Sequence, residues 1–228
     1  MGDESGGLAV LYEDEALIFL NKPPGIVVQR GLDAVEPILV DLVALHAGPV
    51  FLMQRLDRGT SGVIFFSKLS KVNAKLTRQF ETKRIRKRYL AICNGELGER
   101  QIVDAPLART GTITFGVRDG GKRAVTEIAP RAASAHGSLL SIVLHTGRTH
   151  QIRVHCAAIG HPLAGDWLYG ARDAARPMLH AAELVMTHPL TNQPLRVAAP
   201  PPPDFAAEAE RRGVVSGIED ESPSKGCS

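Results

Sequence analysis

The sequence predicts an α+β fold: a mixed, mostly antiparallel central sheet flanked by helices. Between residues 101 and 145, short strand-like runs separated by glycine turns follow one another with no helix between them. Two amphipathic patterns earlier in the chain, at 37–47 and 69–82, supply flanking helices. No regular strand–helix alternation runs through the chain, which argues against a parallel, doubly wound sheet.

Taken in order, Leu8 to Tyr12 and Ala16 to Asn21 read as strands around an acidic turn. They are closed by Lys22-Pro23-Pro24-Gly25 and continued by Ile26-Val27-Val28. From Pro37 to Ala47, Ile38, Leu39, Leu42, Val43 and Leu45 cluster on one side of a helix. Val63-Ile64-Phe65-Phe66 is β-branched and aromatic and reads as a buried strand. Over 69–82, Val72, Leu76 and Phe80 recur every four positions, and Lys71, Lys75 and Arg78 form an adjacent basic stripe. Strands follow at 88–93, 101–104, 113–117, 124–129 and 138–145. A helix over 148–160 is ended by Gly160 and Pro162, and strands at 179–187 and 195–199 precede the prolines at 200–203. One catalytic-sized domain is expected over 8–205, between a flexible N-terminus at 1–7 and a disordered tail at 206–228.

The composition narrows the function classes. No apolar run is long enough to span a bilayer, and the acidic, glycine-rich start is unlike a signal peptide, so a cytoplasmic, membrane-free chain is expected. Three scattered cysteines argue against a disulfide framework and against a CxxC zinc site. The net charge is only +3, yet nine lysines and arginines against the single acid Glu81 fall between Lys68 and Arg88. Such a local positive surface suits a polyanion.

Two stretches could carry chemistry. In Met53-Gln54-Arg55-Leu56-Asp57-Arg58-Gly59-Thr60-Ser61-Gly62, Asp57 lies on a tight connection between two strands, with Arg55 and Arg58 placed to favour its charged form. The plainer role for such an aspartate is to bond backbone N–H groups in its own turn. The second stretch, His145 to Cys156, holds three histidines and a cysteine. A metal site is disfavoured there, because His150 and His155, five apart on a helix, point roughly 140° away from each other. Ser61 lacks the spacing of a hydrolase elbow, and neither a phosphate-cradling loop nor a GxGxxG turn is present. What remains is a carboxylate (Asp57), a tyrosine beside a basic cluster (Tyr89) and an arginine-bearing helix start (Arg148 to Arg153), a set suited to metal-free work on an RNA nucleoside.

The segments Arg-Leu-Asp-x-x-Thr-Ser-Gly at 55–62, Lys-Arg-Tyr-Leu-Ala at 87–91 and Gly-Arg-Thr-His-Gln-Ile-Arg-Val-His at 147–155 resemble the RluA-type RNA pseudouridine synthases. So do Gly160 to Asp166, Tyr169-Gly170, and the flanking Lys22 to Gly25, Leu179 to Ala181 and His188-Pro189. The resemblance implies a sheet with a central basic cleft and a reaction that detaches uracil from C1′, rotates it and rejoins it through C5, with no cofactor and no metal. It assigns catalysis to Asp57, the surface against the target base to Tyr89, an apolar base contact to Ile152, the partner of the aspartate to Arg153, and a substrate contact to Arg55. The substrate class would be rRNA or tRNA, and the default state a monomer without an obligate protein partner. Two departures stand out. Gln54 occupies a position that is often histidine in the family, and the chain begins without the S4-like RNA-binding domain of many relatives. Rival readings are a non-catalytic RNA-binding module and a hydrolase of small nucleosides.

Overall fold

The computed structural model describes residues 8–30 and 38–216. The expected flexible N-terminus and residues 217–228 of the expected tail lie outside the described residues. In chain order the elements are β1 (Val10–Glu13), β2 (Leu17–Lys22), α1 (Leu39–Ala47), β3 (Phe51–Leu52), β4 (Ser61–Ser67) and α2 (Ser70–Glu81). There follow β5 (Arg86–Cys93), β6 (Gln101–Asp104), β7 (Leu107–Arg109), β8 (Phe115–Val117), β9 (Val125–Ser134), β10 (Gly137–Leu144) and α3 (Gln151–Ala158). The chain ends with β11 (Leu179–Thr187), β12 (Pro194–Ala198) and α4 (Pro203–Arg211). These elements form two compact units: one reaches to Lys87 and is completed by Ala181–Pro200, the other holds Arg88–His180 and the residues from Pro201 onward.

In the first unit β1 pairs with β2 and β2 with β4, antiparallel, from Leu17 opposite Ser67 to Lys22 opposite Gly62. β11 lies on the other side of β4 and pairs antiparallel with β12. Every residue of β4 is buried, which is why that strand reads as an unbroken apolar run instead of an alternating one. Phe19 stacks on Phe65 at 4.9 Å between centroids, and Phe65 on Phe80 at 6.2 Å. α2 adds buried Val72 and Leu76 to this core. Its third buried position is Gln79, whose amide donates to the Thr187 carbonyl at 2.7 Å and accepts the Thr187 N–H at 3.0 Å, so the helix is latched to the end of β11 without an unpaired polar group. In α1, Leu39 and Val43 are buried, but Leu45 is 85% exposed. Two residues past Val43 it sits about 200° around the helix, so it does not join the apolar side the sequence assigns it to.

The second unit has the antiparallel strand order β5-β10-β9-β6, with only β9 and β10 joined as a hairpin. A separate two-stranded ribbon, β7 with β8, lies against α3 and shares a small core of Leu107, Phe115, Ala124, Val154 and Tyr169. α3 starts at Gln151 and not at 148, because Gln151 spends its side chain on the preceding loop. Its Oε1 accepts from Thr146 Oγ1 at 2.8 Å and from the Arg148 N–H at 3.0 Å, while its Nε2 donates to the Val125 carbonyl and to Thr126 Oγ1.

Where the sequence reading places a disordered tail from 206, the helix α4 continues to Arg211 and docks on its own unit. Phe205 and Ala209 are fully buried. Arg212 donates from Nε to Glu208 at 2.6 Å and from Nη1 to Asn94 Oδ1 and the His136 carbonyl, both at 2.7 Å, and also meets Asp173. Arg176 holds Asp204 bidentately at 2.6 and 3.0 Å. Within the segment, Glu208, Arg211 and Arg212 are paired.

These pairs set an acid limit on stability. Hydrogen bonds from Arg176 hold the Asp204 carboxyl below its ordinary range. Burial pushes Glu208 up, but Arg211 and Arg212 outweigh it and leave it low. A carboxylate with a lowered folded pKa contributes stability that is complete above its unfolded value, about 4, and is lost as pH falls through the folded value. Denaturant melts should therefore be flat above pH 5 and weaken steadily toward pH 3. Asp204→Asn should be less stable at neutral pH but show a shallower acid decline; an unchanged decline would place the acid sensitivity elsewhere.

Candidate active site

The loop from Met53 to Thr60 runs between β3 and β4 and is fastened within the first unit. The Lys22 side chain is fully buried at the end of β2, and its Nζ donates to the carbonyls of Pro23 at 2.9 Å and Arg58 at 3.2 Å. The Arg58 carbonyl also accepts the Gly25 N–H at 2.8 Å, and Arg58 Nε returns a bond to the Gly25 carbonyl at 2.9 Å. The Thr60 N–H closes the turn on the Asp57 carbonyl at 3.0 Å. The Lys22 to Gly25 turn and the Asp57 to Thr60 turn are thus one cross-braced unit, and Asp57 within it is half-buried.

Its neighbours differ from the simple picture of two arginines on one acid. Arg55 is exposed and makes no hydrogen bond or ion pair among the described residues. Arg58 is partly committed to Gly25. Gln54 donates to the Val63 carbonyl at 3.3 Å, tying the start of the motif to β4. An open groove of about 720 Å³, lined by Gln29, Phe51, Gln54, Arg55, Asn73 and Thr77, runs beside the loop and can admit a nucleotide. At the other end, Gly62 has φ +109°, and a Cβ there would lie 2.2 Å from the Ala181 carbonyl oxygen, so only glycine lets β4 approach β11.

The basic run is thinner than its sequence. Lys68 pairs with Glu13 at 2.6 Å, and Lys75 caps the Pro189 carbonyl and Asn192 Oδ1, both at 2.6 Å. Lys87 lies 5.0 Å from the centre of the Phe80 ring, and burial pushes its pKa down to about 8. Lys71, Arg78, Lys83, Arg84 and Arg86 are exposed and make no ion pair among the described residues.

The second unit carries Tyr89, Ile152 and Arg153, all buried. Tyr89 lies on β5 opposite Ile142 of β10. Arg153 holds Asp166 through Nε and Nη2, both at 2.7 Å, with the carboxylate fully buried. The Tyr169 ring lies 5.1 Å from the guanidinium carbon. The Tyr169 hydroxyl in turn accepts the Phe115 N–H at 3.1 Å and lies 2.8 Å from His150 Nδ1. His150 has φ +54° and stands just before α3, outside it. Asp166 and Tyr169 are the neighbours of Arg153 that the sequence reading did not single out: both stand in recognised segments, but nothing in a sequence says which arginine a buried carboxylate will meet.

His155 is committed elsewhere. Its ring meets Thr126 Oγ1 at 2.8 Å and the Ala105 carbonyl at 3.0 Å, and burial lowers its pKa. Among the described residues no group of three or more histidines, cysteines or acids is arranged to hold a metal ion.

Comparison with known proteins places the chain in a family. The RNA pseudouridylate synthase family matches residues 16–158. The chain belongs to the RNA pseudouridylate synthases. An uncharacterized RNA pseudouridine synthase of Bacillus subtilis, YhcT, is 37% identical over 215 residues, covering 89% of this chain and 71% of its own. The ribosomal large subunit pseudouridine synthase D of Nitrosomonas europaea is 36% identical over 219 residues, covering 88% of this chain and 64% of its own. Among solved structures, human RNA Pseudouridylate Synthase Domain Containing 1 superposes with a TM-score of 0.74 at 25% identity, covering 89% of this chain and 86% of that one. The α+β class and the pseudouridine synthase fold expected from the sequence both stand. Among the described residues no helix is long and apolar enough to cross a membrane.

Two substitutions test the bracing of this synthase. Gly62→Ala should cost about 3 kcal/mol or more, since a backbone carbonyl must move; a melt within 0.5 kcal/mol of wild type would contradict the close approach. Lys22→Met should cost about 2 kcal/mol by stranding buried carbonyls, and in kinetic assays should lower kcat more than it raises KM.

Proposed function

We propose that this synthase isomerises uridines of rRNA or tRNA to pseudouridine, with Asp57 as its essential catalytic residue and without a cofactor. The observation that supports this most directly is the cross-braced turn: the half-buried Asp57 of the Arg-Leu-Asp motif sits on a backbone fixed by Lys22, Gly25 and Thr60. Departure of uracil develops positive charge at C1′, which a fixed carboxylate stabilises, either by capture as an ester or by removing a sugar proton to give a glycal. Tyr89 and Ile152 are assigned to the target base, Arg153 to the charge and orientation of the catalytic carboxylate, and Arg55 to substrate. Arg153 is held in place by its two bonds to the buried Asp166. The uridine must leave its stack to be reached. The protein is assigned to the cytoplasm, acting as a monomer.

Pseudouridine mapping of total RNA from cells lacking the protein should show sites restored by wild type and not by Asp57→Asn, which should still bind RNA at least as tightly. Full modification by Asp57→Asn would remove the aspartate from the mechanism. Replacing Lys71, Arg78, Lys83 and Arg84 together by Ala should flatten the dependence of log affinity on log salt by up to about 3, near 0.7 per lost single-strand phosphate contact. An unchanged slope would show that the exposed run does not meet RNA.

A further inference from the structure

Trp167 is the only tryptophan of the chain and is 56% exposed, although its turn is among the most tightly determined parts of the second unit. Asp166 before it is fully buried on Arg153, and Tyr169 after it covers the same guanidinium. The Trp167 N–H bonds the Gly165 carbonyl at 3.0 Å, and the N–H groups of Tyr169 and Ala171 both return to the Asp166 carbonyl, at 3.0 and 3.1 Å. Gly165 has φ +73°, and a Cβ there would lie 2.1 Å from the Arg176 carbonyl oxygen. The turn therefore cannot rotate to fold the indole inward. A large flat ring is held in solvent by a rigid support.

A ring presented this way is placed to meet a partner, because its exposure forgoes the stabilisation that burial would return. Its chemical surroundings select the partner. Gly165 and Gly170 flank the turn without side chains, and its one acid, Asp166, is taken by Arg153. Ala171 is bonded back to the turn, which brings Arg172 to it; Arg172 is exposed and makes no ion pair among the described residues. Asp173, the next acid, is taken by Arg212. An exposed aromatic face with an unpaired arginine and neutralised acids is the composition that holds single-stranded nucleic acid: the ring stacks a base and the cation meets a phosphate. Resting on the RNA reading above, we propose that Trp167 is a stacking platform for an unpaired base of the substrate RNA, a contact separate from those assigned to the isomerised uridine.

The single tryptophan makes the test direct. Poly(U) should quench the intrinsic fluorescence of the wild-type protein, whereas polyphosphate, which carries charge without bases, should not. Trp167→Leu keeps an apolar side chain but removes the π face, and in filter binding it should weaken poly(U) by roughly 5- to 100-fold while Trp167→Phe retains most of the affinity. On transcribed rRNA and tRNA, Trp167→Leu should raise KM with little change in kcat. Because the side chain is exposed, circular dichroism of both variants should match wild type. Equal quenching by polyphosphate, or a Leu variant that binds and modifies RNA like wild type, would overturn the platform and leave the enzyme assignment standing. A wild-type protein that neither binds poly(U) nor modifies any RNA would overturn both.

Discussion

The ammonium group of Lys22, buried on the carbonyls of Pro23 and Arg58, is the interaction on which the Asp57 loop depends. Two turns meet there, each with backbone carbonyls that no strand partner can satisfy, and an unpaired buried carbonyl is costly. Lysine suits the place because it is a point charge with three donors on an apolar stem, able to serve carbonyls from both turns at once. Once the charge is in place, the reciprocal bonds between Gly25 and Arg58 align the backbone, and the Asp57 side chain emerges from a loop that has lost its freedom to reorganise. Electrostatic catalysis requires this kind of prior fixation, since a carboxylate that must be ordered during the reaction returns part of its stabilisation as entropy.

The second unit applies the same device with the sign reversed. Asp166 is fully buried and would be untenable without a cation, and Arg153 is itself almost fully buried. Such a pair recovers its desolvation only when geometry is good and the remaining donors and acceptors are satisfied. Here both bonds are 2.7 Å, the Tyr169 ring covers the guanidinium, and the Tyr169 hydroxyl is anchored to Phe115 and His150. The free energy spent is returned as orientation: removing either partner would leave an uncompensated buried charge, so the arginine has one stable position.

Most strands and helices were legible because their signals are local. Residues 179–187 and 101–104 match element for element, and α2 follows its four-residue apolar period apart from Gln79. The two-residue β3 and the three-residue β7 are too short to carry a period, and α4 was hidden because charge was read as solvation when Arg212, Arg176 and their acids are paired inward. For the candidate site, Asp57, Tyr89 and Arg153 are the residues that ordered motifs single out. Lys22, Asp166 and Trp167 are not among them, because their roles follow from burial or its absence, and a sequence records which residues are present without recording which of them lose water. The basic run shows the same limit: Lys68 and Lys75 count toward the charge but spend it on Glu13, Pro189 and Asn192.

Gln54 shows how a departure from a family pattern can be read through its contact. Its amide donates to the Val63 carbonyl on β4 and so fastens the start of the loop whose other end is fastened by Lys22. A histidine placed there would make such a bond from one ring nitrogen and would change charge near neutral pH. Glutamine makes it without titrating, so the brace is independent of pH across the physiological range. A residue whose donor is committed to a strand carbonyl is also not positioned to shuttle a proton. The proton transfers of the isomerisation must therefore be served by other groups or by water, and the contribution of position 54 is mechanical: it ties the start of the Arg-Leu-Asp motif to β4.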